Sequence, residues 1–389
     1  MPQATLLFWV FLLLVLYTYI LYPLVIWLLA ILRSSTTAAD EPVDRSVSFV
    51  VAARGEGVRI GKRIEELLEQ LDCAAVEGEV ILVLDGPAEA ESHAAQEARD
   101  SRVRVIALGE HRGKAVAISE GARLARYDIL AFADVRQRWQ EDALDRLLRN
   151  FQDLTVGAVS GDLFLETGNG VTAGVGLYWR YEKWLRRNEG IVDSVVGVTG
   201  AICAVRREVF HGVPEGTVLD DVYWPLRVIM QGYRVIHDSN AKAFDRLPDK
   251  ACDEFRRKVR TLSGNFQLMA LLPSVLLPWK NRVWWQFVSH KTMRLAVPWL
   301  LIAALVTCVL IPHGFYQFLF WIQLTGYGVL GVTMASGLAA RSRAISAVAS
   351  FALLNVAAWF AFWMWISGNA NRSWNAIDYT SGEPSPQTE

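Results

Sequence analysis

The feature that most constrains this chain is an uncharged apolar run at its beginning. Residues 5–32 (TLLFWVFLLLVLYTYILYPLVIWLLAIL) contain no Asp, Glu, Lys or Arg. Such a run exceeds the ~20 residues with which a helix crosses ~30 Å of hydrocarbon. The opening MPQATLLFWV has no basic residue, whereas a cleaved signal peptide begins with a basic region. The run therefore predicts a retained transmembrane helix over 5–32.

Three further apolar runs crowd the C-terminal end, at about 295–311, 315–335 and 344–366. The stretch between, roughly 33–290, is charged and has no run of comparable length. The pattern predicts a globular middle domain between one N-terminal span and about three C-terminal spans within 295–366. In the alternative, one of the C-terminal runs is a re-entrant or buried core helix.

Basic residues beside the spans predict the orientation, because cytosolic flanks are enriched in Lys and Arg. With four spans, all of these flanking residues fall on one side: Arg33, Lys291, Arg294, Arg341 and Arg343. The middle domain is then cytosolic, and the N-terminus and the polar tail 367–389 lie outside. We therefore expect a multi-pass protein of a bacterial-type inner (plasma) membrane.

Composition excludes two function classes. The net charge of -1 gives no basic surplus for nucleic-acid binding. The four cysteines, at positions 73, 203, 252 and 308, form no C-x-x-C pair, which argues against a structural zinc site. Widely spaced thiols suit a reducing cytosol.

The middle domain alternates short β-branched runs with stretches of helical spacing. Strands are predicted at 47–53, 79–84, 102–108 and 129–133, with helices at 58–71 and 114–125. This alternation is typical of βαβ units and predicts an α/β fold with a mostly parallel sheet. Ligands of such sheets bind beyond the carboxyl ends of the strands.

Polar residues follow three of the predicted strands directly. Arg54 and Glu56 follow the first strand, Asp85 the second, and Asp134 the strand at 129–133. Each alone is an ordinary turn former. Three acid-bearing strand ends in series predict instead a polar ligand site in one crevice.

Six segments in fixed order carry a family resemblance. They are VSFVVAARGEG (47–57), VILVLDGPAEAE (80–91), HRGK (111–114) with AFADVRQ (131–137), GVTGAICAVRREVF (197–210), TVLDDVYWPLRVIMQGYRV (217–235) and RKVRTLSGN (257–265). The chain resembles the family 2 glycosyltransferases with the GT-A fold, especially the membrane-integrated synthases of cellulose, chitin and hyaluronan. The resemblance covers roughly 45–266 and implies a cytosolic GT-A domain with a Rossmann-like, mixed, mostly parallel sheet. It also implies inverting hexosyl transfer from a nucleotide-diphosphate sugar.

The resemblance implies a donor site at the strand ends. The first segment resembles the family's P-x-x-N-E, with Ala53 for proline, Gly55 for asparagine, and Arg54 and Glu56 retained in the loop. The second resembles V-D-D-G-S-x-D, whose acids contact the uracil and ribose of a UDP donor. Asp85 matches its second Asp, Leu84 replaces the first, and Glu89 stands at the last acidic position. Lys114 matches the lysine of N-x-G-K and is also expected to bind the donor.

The D-x-D motif of the family implies a metal site at Asp134. A diphosphate leaving group develops negative charge, and Mg²⁺ or Mn²⁺ stabilises it with one or two carboxylate ligands. Asp134 matches the first Asp and is the expected ligand, while Arg136 stands at the second. Arg136 is either a bidentate partner of a phosphate or a solvated surface residue.

Two segments are expected to serve the acceptor and its proton. Residues 197–210 resemble the segment that faces the acceptor, which implies acceptor binding by Thr199, Gly200 and Ala201. Asp221 matches the acid of the family's T-E-D motif that is proposed as general base, and Asp220 replaces the Glu. A neighbouring acid raises a carboxyl pKa towards useful basicity. Alternatively, the two acids simply begin a helix as an N-terminal capping signal.

The last segment stands where processive synthases have Q-x-x-R-W. Arg260 keeps the Arg, but Arg257 and Thr261 replace the Gln and the Trp, so long-chain polymerisation is in doubt. Arg257 and Arg260 are expected to bind the donor diphosphate, or the surrounding basic cluster attracts anionic lipid. Residues 268–291, rich in Trp and interrupted by two prolines, predict interfacial helices, with a core helix as the alternative.

The sequence therefore predicts a membrane-bound glycosyltransferase that moves a sugar from a nucleotide-diphosphate sugar of the UDP type to a saccharide or lipid acceptor at the bilayer. Exopolysaccharide synthesis is the expected context. Two alternatives stay open: a non-processive transferase that glycosylates a lipid, and a catalytically inactive subunit of a polysaccharide assembly complex. No nucleic-acid partner is expected.

Overall fold

A computed structural model describes residues 2–33, 46–57, 59–86, 100–166, 173–246, 251–335 and 343–368. Its strands are β1 (Val47–Ala53), β2 (Gly78–Leu84), β3 (Val103–Ala107), β4 (Ile129–Ala133), β5 (Arg138–Trp139), β6 (Val156–Glu166), β7 (Ile202–Arg206) and β8 (Arg234–Arg246). Its helices are α1 (Pro2–Leu32), α2 (Arg59–Cys73), α3 (Lys114–Leu124), α4 (Ala143–Arg149), α5 (Ala173–Val192), α6 (Asp220–Met230), α7 (Ala251–Leu271), α8 (Trp284–Leu310), α9 (Gly314–Ala335) and α10 (Arg343–Ile366). The predicted position of Glu89, the loop residue Arg341 and most of the tail 367–389 lie outside the described residues.

The eight strands form one sheet in the order β3-β2-β1-β4-β7-β6-β8-β5. The first four strands pair in parallel, as the alternating pattern predicts, and β1 and β4 have the predicted bounds. β7 then pairs antiparallel with both β4 and β6. The sheet is therefore mixed. Since β2 and β4 lie on opposite sides of β1, the strand order reverses there, and the carboxyl ends of these strands border a crevice.

The two faces of the sheet bury alternate residues of β1. Val50 belongs to the core beneath α3, whereas Phe49 and Val51 belong to the core beneath α2 and α4. This follows from the two-residue period of a strand. Helix α3 approaches closely because residue 121 is Gly: a Cβ there would lie 2.5 Å from Val50 Cγ1. The close packing fixes the start of α3 against the strand ends.

Three helices among the described residues are long and apolar enough to cross a membrane: α1, α8 and the Val348–Ile366 part of α10. Helix α9 forms where a span is predicted but is not one of these three, so its crossing stays a prediction. The membrane helices pack together and onto the domain. Phe8 of α1 packs with Cys308 of α8, and Val259 of α7 packs with Ala357 and Ala361 of α10.

The predicted division into interfacial helices over 268–291 and a span from residue 295 needs correction. Residue 268 lies inside α7, which continues to Leu271, and a single helix runs from Trp284 to Leu310. The prolines that suggested interruption, Pro273 and Pro278, precede this helix. His290 of this helix is buried and contacts Glu182 and Glu189 of α5, and Val288–Thr292 form a π-helical turn within it.

Candidate active site

The crevice at the strand ends brings a lysine and an aspartate together. Asp134 follows β4 and Lys114 begins α3, and Lys114 Nζ lies 2.5 Å from Asp134 Oδ1. Gly113 precedes the helix with φ +88°, a conformation that favours glycine. The turn therefore aims Lys114 at the end of the neighbouring strand. Both residues are sequence-predicted donor-site residues.

Asp85 organises the loop that leads into α3. Its carboxylate accepts from the backbone N–H groups of Arg112 (2.7 Å) and Gly113 (3.0 Å) and contacts His111 Nδ1 at 2.7 Å. The Asp85 side chain is buried at 6% exposure. The geometry thus gives it a positioning role towards Lys114. Its predicted contact with the nucleotide stays a prediction.

His111 is a site residue that the sequence prediction missed. Its Nε2 lies 2.7 Å from Arg54 Nη1, which only donates, so Nε2 accepts and Nδ1–H donates to Asp85. The histidine of the HRGK segment was the one sequence feature that could have pointed to it. The loop after β1 is thereby joined to the loop before α3.

The other predicted donor-site residues at the end of β1 make contacts within the chain. Glu56 lies 3.6 Å from Arg59, and the Ala53 carbonyl accepts from the Asp85 N–H at 3.0 Å.

The predicted acceptor segment lies beside the predicted base. A Cβ on Gly200 would lie 3.5 Å from Asp221 Cβ and 3.6 Å from Lys114 Nζ. The Val198 N–H donates to the Asp221 carbonyl at 2.8 Å. The Thr199 N–H donates to Ser160 Oγ at 2.9 Å, and Ala201 is buried. The predicted acceptor segment therefore borders both Asp221 and Lys114.

Asp220 and Asp221 are the first residues of α6, and Leu219 occupies its N-cap position. The acids therefore do begin a helix, as the alternative interpretation expects, although the N-cap position itself is Leu219. Burial, and next the charge of Asp220, raise the pKa of Asp221 to about 6. Burial also raises the pKa of Asp220, and Lys114 opposes that shift. A carboxyl with a pKa near 6 is a competent proton acceptor at neutral pH.

The last predicted cations lie on α7, which crosses the start of α6. A Cβ on Gly264 would lie 2.7 Å from Leu219 Cγ, so glycine allows this close crossing. The charge of Arg260 lowers the pKa of Asp220, which puts this guanidinium within range of the acids. Arg257 lies three residues earlier and is half-buried. Its contact with the donor stays a prediction.

Arg136 binds a carboxylate of the chain itself. Its Nε and Nη2 lie 3.1 Å and 2.8 Å from the two oxygens of Asp245 on β8, and Gln137 Nε2 donates to the same carboxylate at 3.0 Å. Arg136 is thus an exposed residue that is paired within the chain, and its contact with a phosphate stays a prediction. Asp245 lies 109 residues away in the chain, and no local signal identifies it.

The acids around Lys114 suit a divalent cation. The carboxylates of Asp134, Asp220 and Asp221 all raise the pKa of Lys114 against the effect of its burial, so three acids surround one buried ammonium. Within the described ranges, no three His, Cys, Asp or Glu side chains form a metal cage. A cation here would thus need donor oxygens as well, as Mg²⁺ does at nucleotide sites. Asp134 and Asp220 are the residues that would hold it.

The middle domain is similar to known proteins. Residues 48–213 match the model of the glycosyl transferase family 2. Poly-beta-1,6-N-acetyl-D-glucosamine synthases of Staphylococcus aureus strains COL and MRSA252 are each 20% identical over 231 residues, covering 57% of this chain and 55% of theirs. The chain thus matches only about half the length of these curated relatives.

A solved structure resembles nearly the whole chain. It is a mannosyltransferase from Pyrobaculum calidifontis in complex with GDP-Man and Mn²⁺, with a TM-score of 0.67 and 19% identity. The match covers 92% of this chain and 99% of that one. At this identity the likeness shows the fold. The predicted GT-A fold, with apolar helices at both ends, is confirmed.

Proposed function

We propose that this chain, which carries a family 2 glycosyltransferase domain at residues 48–213, transfers a sugar from a nucleotide-diphosphate donor to an acceptor at the membrane. The observation that carries the proposal is the convergence of Lys114, Asp134 and the pair Asp220–Asp221 at the carboxyl ends of the strands. A GT-A domain that surrounds one ammonium with three acids can hold a diphosphate and accept a proton in the same crevice.

The transfer needs a base for the acceptor and a counter-charge for the leaving group. An acceptor hydroxyl attacks the anomeric carbon, its proton passes to Asp221, and the bond between that carbon and the diphosphate oxygen breaks with inversion. Lys114 and Arg260 neutralise charge on the leaving nucleoside diphosphate. Mg²⁺ or Mn²⁺, held by Asp134 and Asp220, would supply further Lewis-acid stabilisation of the same oxygens.

The donor and acceptor are proposed by class. The similar proteins are N-acetylglucosamine polymer synthases and a mannosyltransferase in complex with GDP-Man, which supports a nucleotide-sugar donor. We propose a UDP-linked one. The acceptor is a saccharide or a lipid, in exopolysaccharide synthesis. Thr261, which cannot stack on a sugar, favours a discrete product over a long polymer.

The placement in the cell follows from the helices. We propose a multi-pass protein of the bacterial inner membrane, with one N-terminal span, a cytosolic domain over 45–266 and three C-terminal spans. The polar side chains His290 and Arg294 of α8 contact Glu182 and Glu189 of α5. This packing supports an active domain held directly at the bilayer rather than on a free linker.

The test is a donor assay on the purified full chain. Membranes and purified protein are incubated with labelled UDP- and GDP-sugars, and both release of free sugar and product size are measured. We expect turnover of at least one donor, a product of discrete size, and loss of turnover in Asp221→Asn. Absence of turnover with every donor, while nucleotide still binds, would favour the inactive-subunit alternative.

A further inference from the structure

A proline lies inside the helix that begins with the two acids. Helix α6 starts at Asp220, and Pro225 is buried within it. In an α-helix the N–H of residue 225 would donate to the carbonyl of residue 221, four positions earlier, but proline has no N–H. The proline ring also crowds that carbonyl and tilts it away from the helix axis. Pro225 therefore leaves the backbone carbonyl of Asp221, the proposed base, available to a donor from outside the helix.

That donor comes from the predicted acceptor segment. The Val198 N–H donates to the Asp221 carbonyl at 2.8 Å. Val198 is buried, so the bond is shielded from competing water. The first turn of α6 has no capping side chain of its own, because Leu219 at the N-cap position is apolar. The bond from Val198 therefore helps to fix the turn that carries the base.

Glycines let the acceptor segment approach α6. A Cβ on Gly197 would lie 2.9 Å from Val222 Cγ2 and 3.2 Å from the Asp221 carbonyl oxygen. Both distances are shorter than ordinary van der Waals contact, so a larger residue would push the segment away from the helix. A Cβ on Gly200 would meet Asp221 Cβ at 3.5 Å, an ordinary contact. The segment thus lies against both the backbone and the side chain of the base.

The far side of the acceptor segment is fixed to other elements. The Thr199 N–H donates to Ser160 Oγ of β6 at 2.9 Å. Arg186 of α5 donates to the Gly197 carbonyl at 2.9 Å. The sheet and α5 therefore set the position of the segment, and the Val198 N–H passes that position on to the start of α6.

We propose that Pro225 is a positioning residue for the transfer: it keeps the Asp221 carbonyl for the Val198 N–H, so that the base and the acceptor-binding segment hold one fixed geometry. The inference rests on the proposed transferase function and adds a residue to its machinery. A general base acts only within ~2.6–3.2 Å of the group that gives up the proton, so a small shift of α6 costs rate. A proline that weakens a helix interior thus has a functional reason for its place.

The test replaces Pro225 by alanine, which restores the N–H and removes the ring. In Pro225→Ala the N–H of residue 225 draws the Asp221 carbonyl back to the helix axis, and the bond from Val198 weakens. Hydrogen–deuterium exchange of the full chain in detergent micelles, read by mass spectrometry, measures the protection of residues 195–201. We expect the Val198 amide to exchange at least ~3-fold faster, about the factor that one hydrogen bond contributes.

The functional measurement is turnover of labelled UDP- and GDP-sugars by membranes that carry the variant. We expect turnover in Pro225→Ala to fall at least ~10-fold, because the base is misplaced. Nucleotide Kd should stay unchanged, since Lys114 and Asp134 lie on other elements. Tm should stay within ~2 °C, because the regained helix bond opposes the lost packing of the ring. The matched control is Pro298→Ala, a proline inside α8, which should change neither the exchange of residues 195–201 nor turnover.

Three results with Pro225→Ala would overturn the proposal: unchanged exchange at Val198, unchanged turnover despite faster exchange, or a fall in Tm that parallels the fall in turnover. The last result would make Pro225 an ordinary structural residue. If Pro225→Ala does not fold, Gly197→Ala decides, because its Cβ pushes the segment off the same carbonyl and should reproduce both effects. Absence of turnover in the unmodified protein would overturn the proposed function and the positioning role with it, whereas the exchange data would still report the hydrogen bond.

Discussion

At the scale of single residues, the adjacent acids Asp220 and Asp221 lower the stability of the fold and at the same time make Asp221 a better proton acceptor. Two adjacent carboxyls at a partly buried helix start repel each other, and the pKa of Asp221 rises to about 6 from an ordinary value near 3.8. A group whose folded pKa is raised stabilises the fold most below its unfolded pKa and loses that contribution as pH rises through its folded pKa. At neutral pH Asp221 is therefore ionised, and the folded protein is less stable than it would be with Asp221 protonated.

The first prediction concerns this pair. Asp221→Asn should lower kcat by ~10²- to 10⁴-fold with little change in nucleotide Kd, because an amide keeps the shape but cannot accept the proton. It should also raise Tm at pH 7, since the cost of the buried charge is removed. The measurements are kcat, nucleotide Kd and Tm from about pH 4 to about pH 9, a range that brackets the raised pKa of Asp221.

Asp220→Asn is the companion variant. It removes the neighbouring charge, so the pKa of Asp221 falls and the acid limb of the kcat profile should move to lower pH. An acid limb that stays in place would show that Asp220 does not tune Asp221. Near-normal kcat in Asp221→Asn would assign the base to another residue.

The second prediction concerns Asp134. Asp134→Asn removes the carboxylate nearest to Lys114, so we expect weaker donor binding and a divalent-cation titration shifted to at least ~10-fold higher concentration. Asp128→Asn, an exposed change at the start of the same strand, is the control and should leave the titration unchanged. An unaltered titration in Asp134→Asn would reject Asp134 as the ligand.

Single residues also mark how far the sequence prediction reached. Asp134 and Lys114 could be predicted because each follows or begins an element with a clear local pattern, and the structure brings them within 2.5 Å. The partner of Arg136 could not, because Asp245 approaches only when β8 returns along the sheet. His111 was missed because its role depends on Asp85 and Arg54, which come from two other strand ends.

At the scale of elements, the site depends on the crossing of α7 over the start of α6. The glycine at 264 lets α7 approach Leu219 and Val218, the residues directly before the two acids. This crossing also carries Arg260 to Asp220. The elements up to β4 were predictable from alternating runs, whereas the antiparallel insertion of β7 was not, since pairing direction is set by partners far away in the chain.

The third prediction tests this crossing. Gly264→Ala places a Cβ 2.7 Å from Leu219 Cγ and 3.0 Å from Val218 Cγ1, so the helices must separate. We expect a loss of ~1–3 kcal/mol in stability and a fall in kcat, since the acids move with α6. The control is Gly326→Ala in α9, where an added Cβ meets nothing within 4 Å. Equal effects of the two changes would contradict the importance of the crossing.

At the scale of the whole molecule, the number of spans decides where the two ends lie. Three helices qualify by length and composition, and α9 forms a fourth helix that packs beside α8. If α9 crosses, the C-terminus lies opposite the domain. If it does not, the C-terminus shares the side of the domain.

The fourth prediction follows from the basic flanks, which share a side only with four spans. Reporter fusions after residue 36 and after residue 389 should report opposite compartments. A fusion after residue 312, between α8 and α9, should agree with the C-terminal one. Fusions after 36 and 389 on the same side would leave α9 outside the bilayer or lying along it.

The polar contacts of α1 join it to segments that are synthesised much later. Tyr22 meets Glu189 across 167 residues, and Tyr17 meets Trp285 and Ser289 across 268 and 272. Ribosomes add ~5–20 residues per second, so the partners of these hydroxyls are synthesised ~10 seconds to a minute after α1. The middle domain emerges in that interval and can fold first. The protein therefore reaches its final packing only after α8 has been made, and a truncation before α8 leaves α1 in the bilayer without the helix against which it packs.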